Sequence, residues 1–130
     1  MTYDNCDELR TILSGHRPEN FVEQCTEFFD KYKGRVIEFD GKMTYVEHLD
    51  YGTTDYRIGI YSTEADDSIK KPYFIIIEPS ITIDRKGLDA FDFSEIYPDD
   101  MVNVHVKGII EYYDDYSEYC RLELIQMDKR

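Results

Sequence analysis

The sequence predicts a mainly β fold with N-terminal helices, in which two helices precede a small five-stranded, OB-like Greek-key barrel. Three observations predict it. Apolar residues follow a helical period as far as Gly34, and from Arg35 onward they alternate with a period of two. Gly41 lies inside the first alternating run, where a glycine is typical of a bulge or a sharp bend. Short strands in this number close their edges in a barrel, whereas an open sheet leaves edges unpaired.

The first helix is predicted from the stretch "DNCDELRTILSG". Asp4 or Asn5 supplies the N-cap, acidic residues occupy the first turn, and Gly15 ends the helix. The apolar face of this helix consists of Leu9, Ile12 and Leu13.

A second amphipathic helix of about four turns follows. Pro18 suits its first position, because the amide hydrogen that proline lacks has no partner there. Lys31, Lys33 and Gly34 are typical of its end. Its apolar residues recur at helical spacing and are Phe21, Cys25, Phe28 and Tyr32, with Val22 and Phe29 beside them. We expect this face to cover the open end or one side of the barrel.

The first two strands are predicted from "RVIEFDGKMTYVEHL" and "YRIGIY", which a turn at "DYGTTD" separates. The inward residues of the first strand are expected to be Ile37, Phe39, Met43 and Tyr45. In the second strand, one face carries Tyr56, Ile58 and Ile60, and the other carries Arg57, Gly59 and Tyr61. Period two therefore predicts that Tyr45 and Tyr56 lie in the core, while Arg57 and Tyr61 are exposed.

The last three strands are predicted from "YFIIIE", "MVNVHVKGIIEYY" and "YCRLELIQM". The first of these has the continuous apolar character of a strand buried on both faces. Residues 79–101 are expected to be irregular, with room for a short helix. The stretch "DDYSE" is the turn between the last two strands.

These elements predict one domain over residues 1–130, with a helical lead at 1–34 and the barrel at 35–130. No apolar run approaches the length of about eighteen residues that spans a bilayer, and the N-terminus lacks the apolar core of a signal peptide. Cys6, Cys25 and Cys120 are odd in number and without CxxC spacing, which favours a reducing compartment. We therefore expect a cytoplasmic protein, with Cys25 and Cys120 packed in the core.

The stretches "NCDELRTIL", "FFDKYKGRVIEFDGKM", "YGTTDYRIGIY" and "DDMVNVHVKGIIEYYDDYSEYCRLELI" resemble an uncharacterised bacterial family of OB-like domains. Its members carry a "YKGRxIEFDG" block at the first strand. The resemblance spans residues 5–127, and the block is its most specific part. It implies an OB-like barrel behind a helical lead, and it implies no activity.

No constellation in the sequence is typical of catalysis or metal binding. GxSxG, HExxH and glycine-rich phosphate loops are all missing. His16, His48 and His105 have no partner at metal-ligand spacing, and we expect surface histidines. Carboxylate pairs such as Asp66/Asp67 and Asp99/Asp100 are expected by chance among 28 acidic residues. We therefore expect a non-enzymatic protein with no metal and no cofactor.

The charge bears on the partner. Acidic residues number 28 against 15 Lys and Arg, and the net charge is −13. Such a protein is repelled by nucleic acid and anionic lipid and favours basic proteins. The stretch "EYYDDYSEYC" at 111–120 combines four tyrosines, which are enriched in protein interfaces, with four carboxylates.

The leading hypothesis is a binding protein whose acidic, tyrosine-rich surface engages a basic protein partner. Carboxylates on a rigid barrel can occupy a site lined by Lys and Arg in place of phosphates, so a nucleic-acid mimic or an inhibitor of a DNA- or RNA-handling protein fits, by analogy with phage-type and anti-CRISPR inhibitors. The candidate residues are Tyr112, Tyr113, Asp114, Asp115, Tyr116 and Glu118. The competing interpretation is that the acids only keep a small protein soluble.

The alternative function is an OB domain that binds single-stranded nucleic acid. Such domains combine aromatic platforms with a basic groove. Part of such a platform could come from tyrosines, with Arg57 and Lys42 as basic neighbours: Tyr45, Tyr56, Tyr61 and Tyr73. Tyr61 is favoured, because Tyr45 and Tyr56 are expected in the core and Tyr61 shares a face with Arg57. Against this, residues 87–119 contain nine acids and one base, Lys107. Because Lys and Arg supply most of the affinity for phosphates, the protein partner is favoured.

Overall fold

The computed structural model describes residues 1–13, 19–49, 55–63, 73–79, 85–88, 91 and 102–130. The described residues contain two helices, α1 (Asp7–Leu13) and α2 (Phe21–Tyr32). The strands are β1 (Val36–Leu49), β2 (Asp55–Ser62), β3 (Tyr73–Pro79), β4 (Val102–Asp114) and β5 (Tyr119–Lys129). The predicted order of two helices and then five strands is confirmed.

Several sequence predictions lie outside the described residues. They concern Gly15 and Pro18 as helix signals, His16 as a surface histidine, and the irregular segment 79–101 apart from 85–88, Pro79 and Phe91. The acidic pairs at 66–67 and 99–100 also lie outside them.

The five strands close into a barrel in the order β1-β2-β3-β5-β4, and β4 pairs back onto β1. All neighbours are antiparallel except β3 and β5, which run parallel over residues 74–76 and 120–122. A parallel pair needs a long connection, which the chain makes through β4 before it returns along β5. The predicted small, five-stranded, OB-like barrel behind two helices is confirmed.

β1 bends around the barrel, because it pairs with β2 and β4 at once. At Gly41 an added Cβ would lie 2.8 Å from a side-chain carbon of Ile60 and would also strike the Tyr61 backbone. Only glycine, which has no Cβ, lets β1 approach β2 this closely at residue 41, where the sequence predicted a bend.

The register of β1 against β2 shifts between Met43 and Tyr45. The shift turns Val46 inward, where it is 2% exposed. Tyr45 therefore pairs opposite Gly59, between the two buried isoleucines of β2, and lies on the outer face of the sheet. The predicted core position of Tyr45 is wrong, because the extra residue of the bulge reverses the alternation. Tyr56 is half-buried and packs against the core as predicted.

The core fills the barrel and continues beneath the helices. Inside the barrel the rings of Phe39 and Phe74 meet with centroids 4.5 Å apart. α2 buries Phe21, Cys25, Phe28 and Phe29, as its spacing predicts. It packs against β4, where the ring of Phe29 lies 6.2 Å from that of Tyr113. Each fully buried phenylalanine contributes about 2–3 kcal/mol, so this face is enough to hold the helix on the barrel wall.

Neither helix in the described part of the chain is long and apolar enough to cross a bilayer.

Candidate functional site

The turn between β4 and β5 is held by the carboxylate of Asp114. Its Oδ1 accepts hydrogen bonds from the backbone amides of Tyr116 and Ser117, both at 3.0 Å. Glu118 completes the turn with a φ of 55°, in the left-handed region. The side chain of Tyr116 is 95% exposed at the tip. A capped turn that presents an aromatic ring to solvent is a rigid platform for recognition.

A bulge decides which hairpin tyrosines reach the surface. The register of β4 against β5 shifts between Ile110 and Tyr112. Ile110 is buried in the core. Because the bulge shifts the alternation by one residue, the next inward residue is Tyr113 rather than Tyr112, and its ring contacts that of Phe29. Tyr112 is 44% exposed on the outside. Tyr113, one of the predicted partner-binding residues, therefore packs against the core rather than on the exposed surface.

The other five predicted residues lie at the end of the β4–β5 hairpin. We call them the hairpin surface: Tyr112, Asp114, Asp115, Tyr116 and Glu118. Asp114 is half-buried by its role in the turn, and the remaining four are exposed. The hairpin surface carries three carboxylates around two exposed rings.

A row of tyrosines runs from this hairpin across the outer face of β4, β5, β3 and β2. Tyr61 and Tyr73 pair across β2 and β3, with ring centroids 4.9 Å apart. Phe74 pairs with Cys120 in the parallel register of β3 and β5. Tyr73 and Tyr119 come directly before these two residues, so they stand next to each other. Tyr112 on β4 lies diagonally across from Tyr119 on β5, because Asp114 pairs with Tyr119 and Tyr112 pairs with Arg121. We call these four tyrosines the tyrosine row.

Gly59 makes room for this row. A Cβ at Gly59 would meet the ring of Tyr73, with Cζ at 2.6 Å and Cε2 at 2.8 Å. The ring of Tyr73 therefore leans from β3 across the bare backbone of β2. The glycine provides the close packing that places Tyr73 against Tyr61.

Two arginines lie on the same outer face as the tyrosine row, each in a ring or ion-pair contact that leaves its buried Nε without a hydrogen bond to any described residue. The guanidinium carbon of Arg57 lies 5.8 Å from the ring centroid of Tyr119, in cation–π contact. Nε of Arg121 lies 3.3 Å from Oε2 of Glu111. Burial, with help from the hydrogen bond to Tyr112, raises the pKa of Tyr119 to about 12, so its hydroxyl stays protonated near neutral pH.

The residues of the alternative site share the outer face of β1 and β2. Lys42 on β1 pairs with Tyr61 on β2, and Arg57 lies on the same outer face. The carboxylate of Glu47 stands opposite Arg57 in the register and receives a hydrogen bond from the Tyr45 hydroxyl. The sequence predicted the two cations, Lys42 and Arg57, and the ring of Tyr61 as separate candidates. It also named Tyr73 as a candidate for the aromatic platform, but it missed Tyr119, although the alternation of β5 carries that signal.

His105 lies on the outside of β4, as predicted, and faces two carboxylates of β1. Its Nδ1 is 2.8 Å from Oδ1 of Asp40, and its Nε2 is 3.2 Å from Oε2 of Glu38. The hydrogen bond to Asp40, and to a smaller degree that to Glu38, raises the pKa of His105 although burial opposes it. No group of three or more His, Cys, Asp or Glu side chains with the geometry to hold a metal ion occurs among the described residues.

A groove of about 330 Å³ lies between α1 and α2. Its floor contains Ile12 and Phe28, and Glu8 and Lys31 stand at its rim. Glu8 accepts hydrogen bonds from Lys31 at 2.9 Å and from the Tyr32 hydroxyl at 2.7 Å. These bonds, that from Lys31 first, lower the pKa of Glu8. The groove rim is thus a structural ion pair that joins the two helices.

Fold and site together define an OB-like barrel with an acidic hairpin and a tyrosine-rich outer face. The chain belongs to the family described as Domain of unknown function (DUF4839), whose model matches residues 4–130. This confirms the expected membership of an uncharacterised domain family. A chain in the crystal structure of yeast Stn1 and Ten1 is similar at 12% sequence identity and a TM-score of 0.45, over 84% of this chain and 75% of that one. No curated protein matches the chain.

Proposed function

We propose that this protein is a non-catalytic binding protein whose hairpin surface engages a basic protein partner. The observation that carries the proposal is the exposure of Tyr116, 95% accessible at the tip of a turn that Asp114 fixes. Exposed tyrosines are frequent hot spots in interfaces, since a ring with two torsion angles provides much contact area at low entropic cost. The turn is ordered before binding, which removes part of the cost of association.

The carboxylates of the hairpin surface supply selectivity. Asp115 and Glu118 flank Tyr116 and are exposed. Around them the chain as a whole carries a net charge of −13, so its long-range field attracts cationic proteins and repels polyanions. We include DNA- and RNA-handling proteins in the proposed partner class, because their Lys- and Arg-lined sites accept carboxylates in place of phosphates.

Capture from lysate at two salt concentrations tests this function. Immobilised protein is expected to retain a basic partner at about 50 mM salt and to release most of it at about 500 mM, where screening shortens the range of charge attraction. The variants Tyr116→Ala and Asp115→Lys/Glu118→Lys are expected to lose the partner. A partner that is indifferent to salt and to both variants would overturn the proposal.

A matched control variant makes the same change of charge as Asp115→Lys/Glu118→Lys, but at a site away from the hairpin. Glu19→Lys/Glu23→Lys introduces the same four units of charge at exposed positions near the start of α2, away from Phe29 and the hairpin. We expect this variant to bind as the unchanged protein does. If it loses the partner equally, only the net charge of the chain matters and the hairpin surface is not the site.

Single-stranded nucleic acid is the second candidate partner, and the ring pair of Tyr61 and Tyr73 favours it. These rings lie 4.9 Å apart beside Arg57, on the face of β2 and β3 that binds oligonucleotides in OB folds. Micromolar binding of labelled oligonucleotides at about 150 mM salt, lost in Tyr61→Ala, would establish this function. We rank it second because Glu111 pairs with Arg121 and the net charge of −13 repels a polyanion.

A further inference from the structure

We propose that the partner segment is a proline-rich peptide in the polyproline II conformation, followed or preceded by Lys or Arg. It lies across the tyrosine row, Tyr61, Tyr73, Tyr119 and Tyr112, with its basic end on the hairpin surface. This inference rests on the proposed function and names the chemistry of the partner.

The dimensions of the tyrosine row suit such a peptide. The row crosses four neighbouring strands, and at about 4.8 Å per strand its length is about 14 Å. A polyproline II helix rises about 3.1 Å per residue, so about five residues cover the row. The peptide would cross the strands at a steep angle, with its basic residues beyond Tyr112.

The tyrosine side chains match the chemistry of the peptide. A polyproline II helix makes no internal hydrogen bonds, so its carbonyl groups remain available to hydroxyl donors. Tyr61 and Tyr73 form a half-buried ring pair, with centroids 4.9 Å apart, against which proline rings can pack, and the phenol of Tyr119 stays protonated with a pKa of about 12. Aromatic-lined surfaces with such donors are one of the recurrent ways in which proteins bind extended peptides.

The other recurrent modes of peptide recognition fit this surface poorly. Strand addition needs a free sheet edge, and the described strands are paired around a closed barrel. Recognition of phosphopeptides needs arginines ready to meet a phosphate. Here Arg57 lies against Tyr119, and Arg121 lies 3.3 Å from Glu111. A helix-binding groove needs a deep apolar trough, whereas this face consists of half-buried rings with hydroxyl groups.

The charge fixes the direction of the peptide. Asp114, Asp115 and Glu118 all lie at the β4–β5 end of the tyrosine row, and the exposed rings of Tyr112 and Tyr116 lie among them. Lys or Arg at one end of the peptide meets carboxylates and ring faces together, which combines ion pairing with cation–π contact. At the opposite end Lys42 stands beside Tyr61 and disfavours a cation.

Fluorescence polarisation with three labelled synthetic peptides tests the inference. The first combines a run of prolines with two arginines at one end, the second replaces the prolines by Ala and Gly, and the third replaces the arginines by Ser. We expect only the first to bind in the micromolar range, and we expect Tyr61→Ala and Tyr112→Ala each to weaken binding about tenfold. Tyr32→Ala, on α2 and outside the row, is the matched control and leaves the affinity unchanged.

The outcomes separate this inference from the proposed function. Equal binding of the arginine peptides with and without proline overturns the inference and leaves the basic partner in place. Binding that is indifferent to both row variants overturns it as well, and so does a failure of all three peptides to bind. Binding of a labelled oligonucleotide that is lost in Tyr61→Ala, with no peptide binding, assigns this face to nucleic acid. Circular dichroism of each variant confirms that a loss is not a loss of folding.

Discussion

Nζ of Lys86 lies 2.9 Å from Oε1 of Glu78, a carboxylate on β3 whose side chain is 2% exposed. Lys86 adopts a φ of 60°, and its carbonyl accepts a hydrogen bond from the amide of Met127 on β5. The turn at 85–88 is thereby tied to β3 through the ion pair and to β5 through the backbone. Leu88, at the end of the same turn, is fully buried in the core.

We expect Lys86→Met to lower the free energy of unfolding by on the order of 3 kcal/mol, because it leaves a buried carboxylate without its ammonium partner. Lys107→Met, whose Nζ lies 3.8 Å from the more exposed Glu38, is the matched control and loses less than about 1 kcal/mol. Urea denaturation followed by circular dichroism measures both. Equal losses in the two variants would show that the Glu78 pair adds nothing beyond a surface pair.

We expect His105 to stabilise the protein more at low pH than at high pH. Its pKa is raised in the folded state, chiefly by Asp40, above the unfolded value of about 6.5. The stabilisation is therefore complete below the unfolded pKa and is lost as the pH rises through the folded pKa. The difference in urea midpoint between the unchanged protein and His105→Gln should be larger at about pH 5.5 than at about pH 9.

Among the described residues, two further charged groups face the cluster of His105, Asp40 and Glu38, and a variant of Asp40 provides the control. Lys107 lies 3.8 Å from Glu38, and NH1 of Arg130 lies 3.7 Å from Asp40. In an Asp40→Asn background, the effect of His105→Gln on the urea midpoint should depend less on pH. The reason is that Asp40 is the largest cause of the raised pKa of His105. An unchanged pH dependence would mean that Asp40 does not hold the proton on His105.

We expect Gly59→Ala to destabilise the protein by about 1–2 kcal/mol, because the added methyl group displaces the ring of Tyr73. Once Tyr73→Ala has removed that ring, the same glycine substitution should have little further effect. A double-mutant cycle on thermal unfolding measures this coupling. Additive losses would indicate that Tyr73 does not lean over Gly59.

We expect Asp114→Ala to destabilise the hairpin by about 1 kcal/mol, since the amides of Tyr116 and Ser117 lose their acceptor. Asp114→Asn retains a side-chain oxygen for these amides and removes only the charge. We expect it to keep the stability while it weakens the salt-dependent part of partner binding. Thermal unfolding and the capture assay measure the two effects, and equal destabilisation by both variants would contradict the turn geometry.

Much of the fold could be predicted from local patterns. The spacing of Phe21, Cys25 and Phe28 predicted α2 and its buried face. The alternation of Ile58 and Ile60 with Arg57 and Tyr61 predicted which residues of β2 point into the barrel, although Arg57 and Tyr61 are half-buried rather than exposed. These predictions succeed because a regular helix or strand repeats its geometry from residue to residue, so composition along the chain records which side is buried.

Part of the candidate site could not be predicted in this way. Tyr45 and Tyr113 were each assigned to the wrong side, and in both strands a bulge lies just before the residue. A bulge leaves one residue of a strand unpaired, and where it forms depends on the pairing with the neighbouring strand. The alternation of residues along one strand carries no information about that pairing.

By itself the sequence determined the two helices, the five strands, the acidic hairpin and the charge of the protein, since each depends on residues near one another in the chain. Only the tertiary structure decided that Tyr61, Tyr73, Tyr119 and Tyr112 form one row beside that hairpin. The reason is that β3 and β5 become neighbours only when the barrel closes, and closure brings together residues that lie far apart in the sequence, such as Tyr73 and Tyr119.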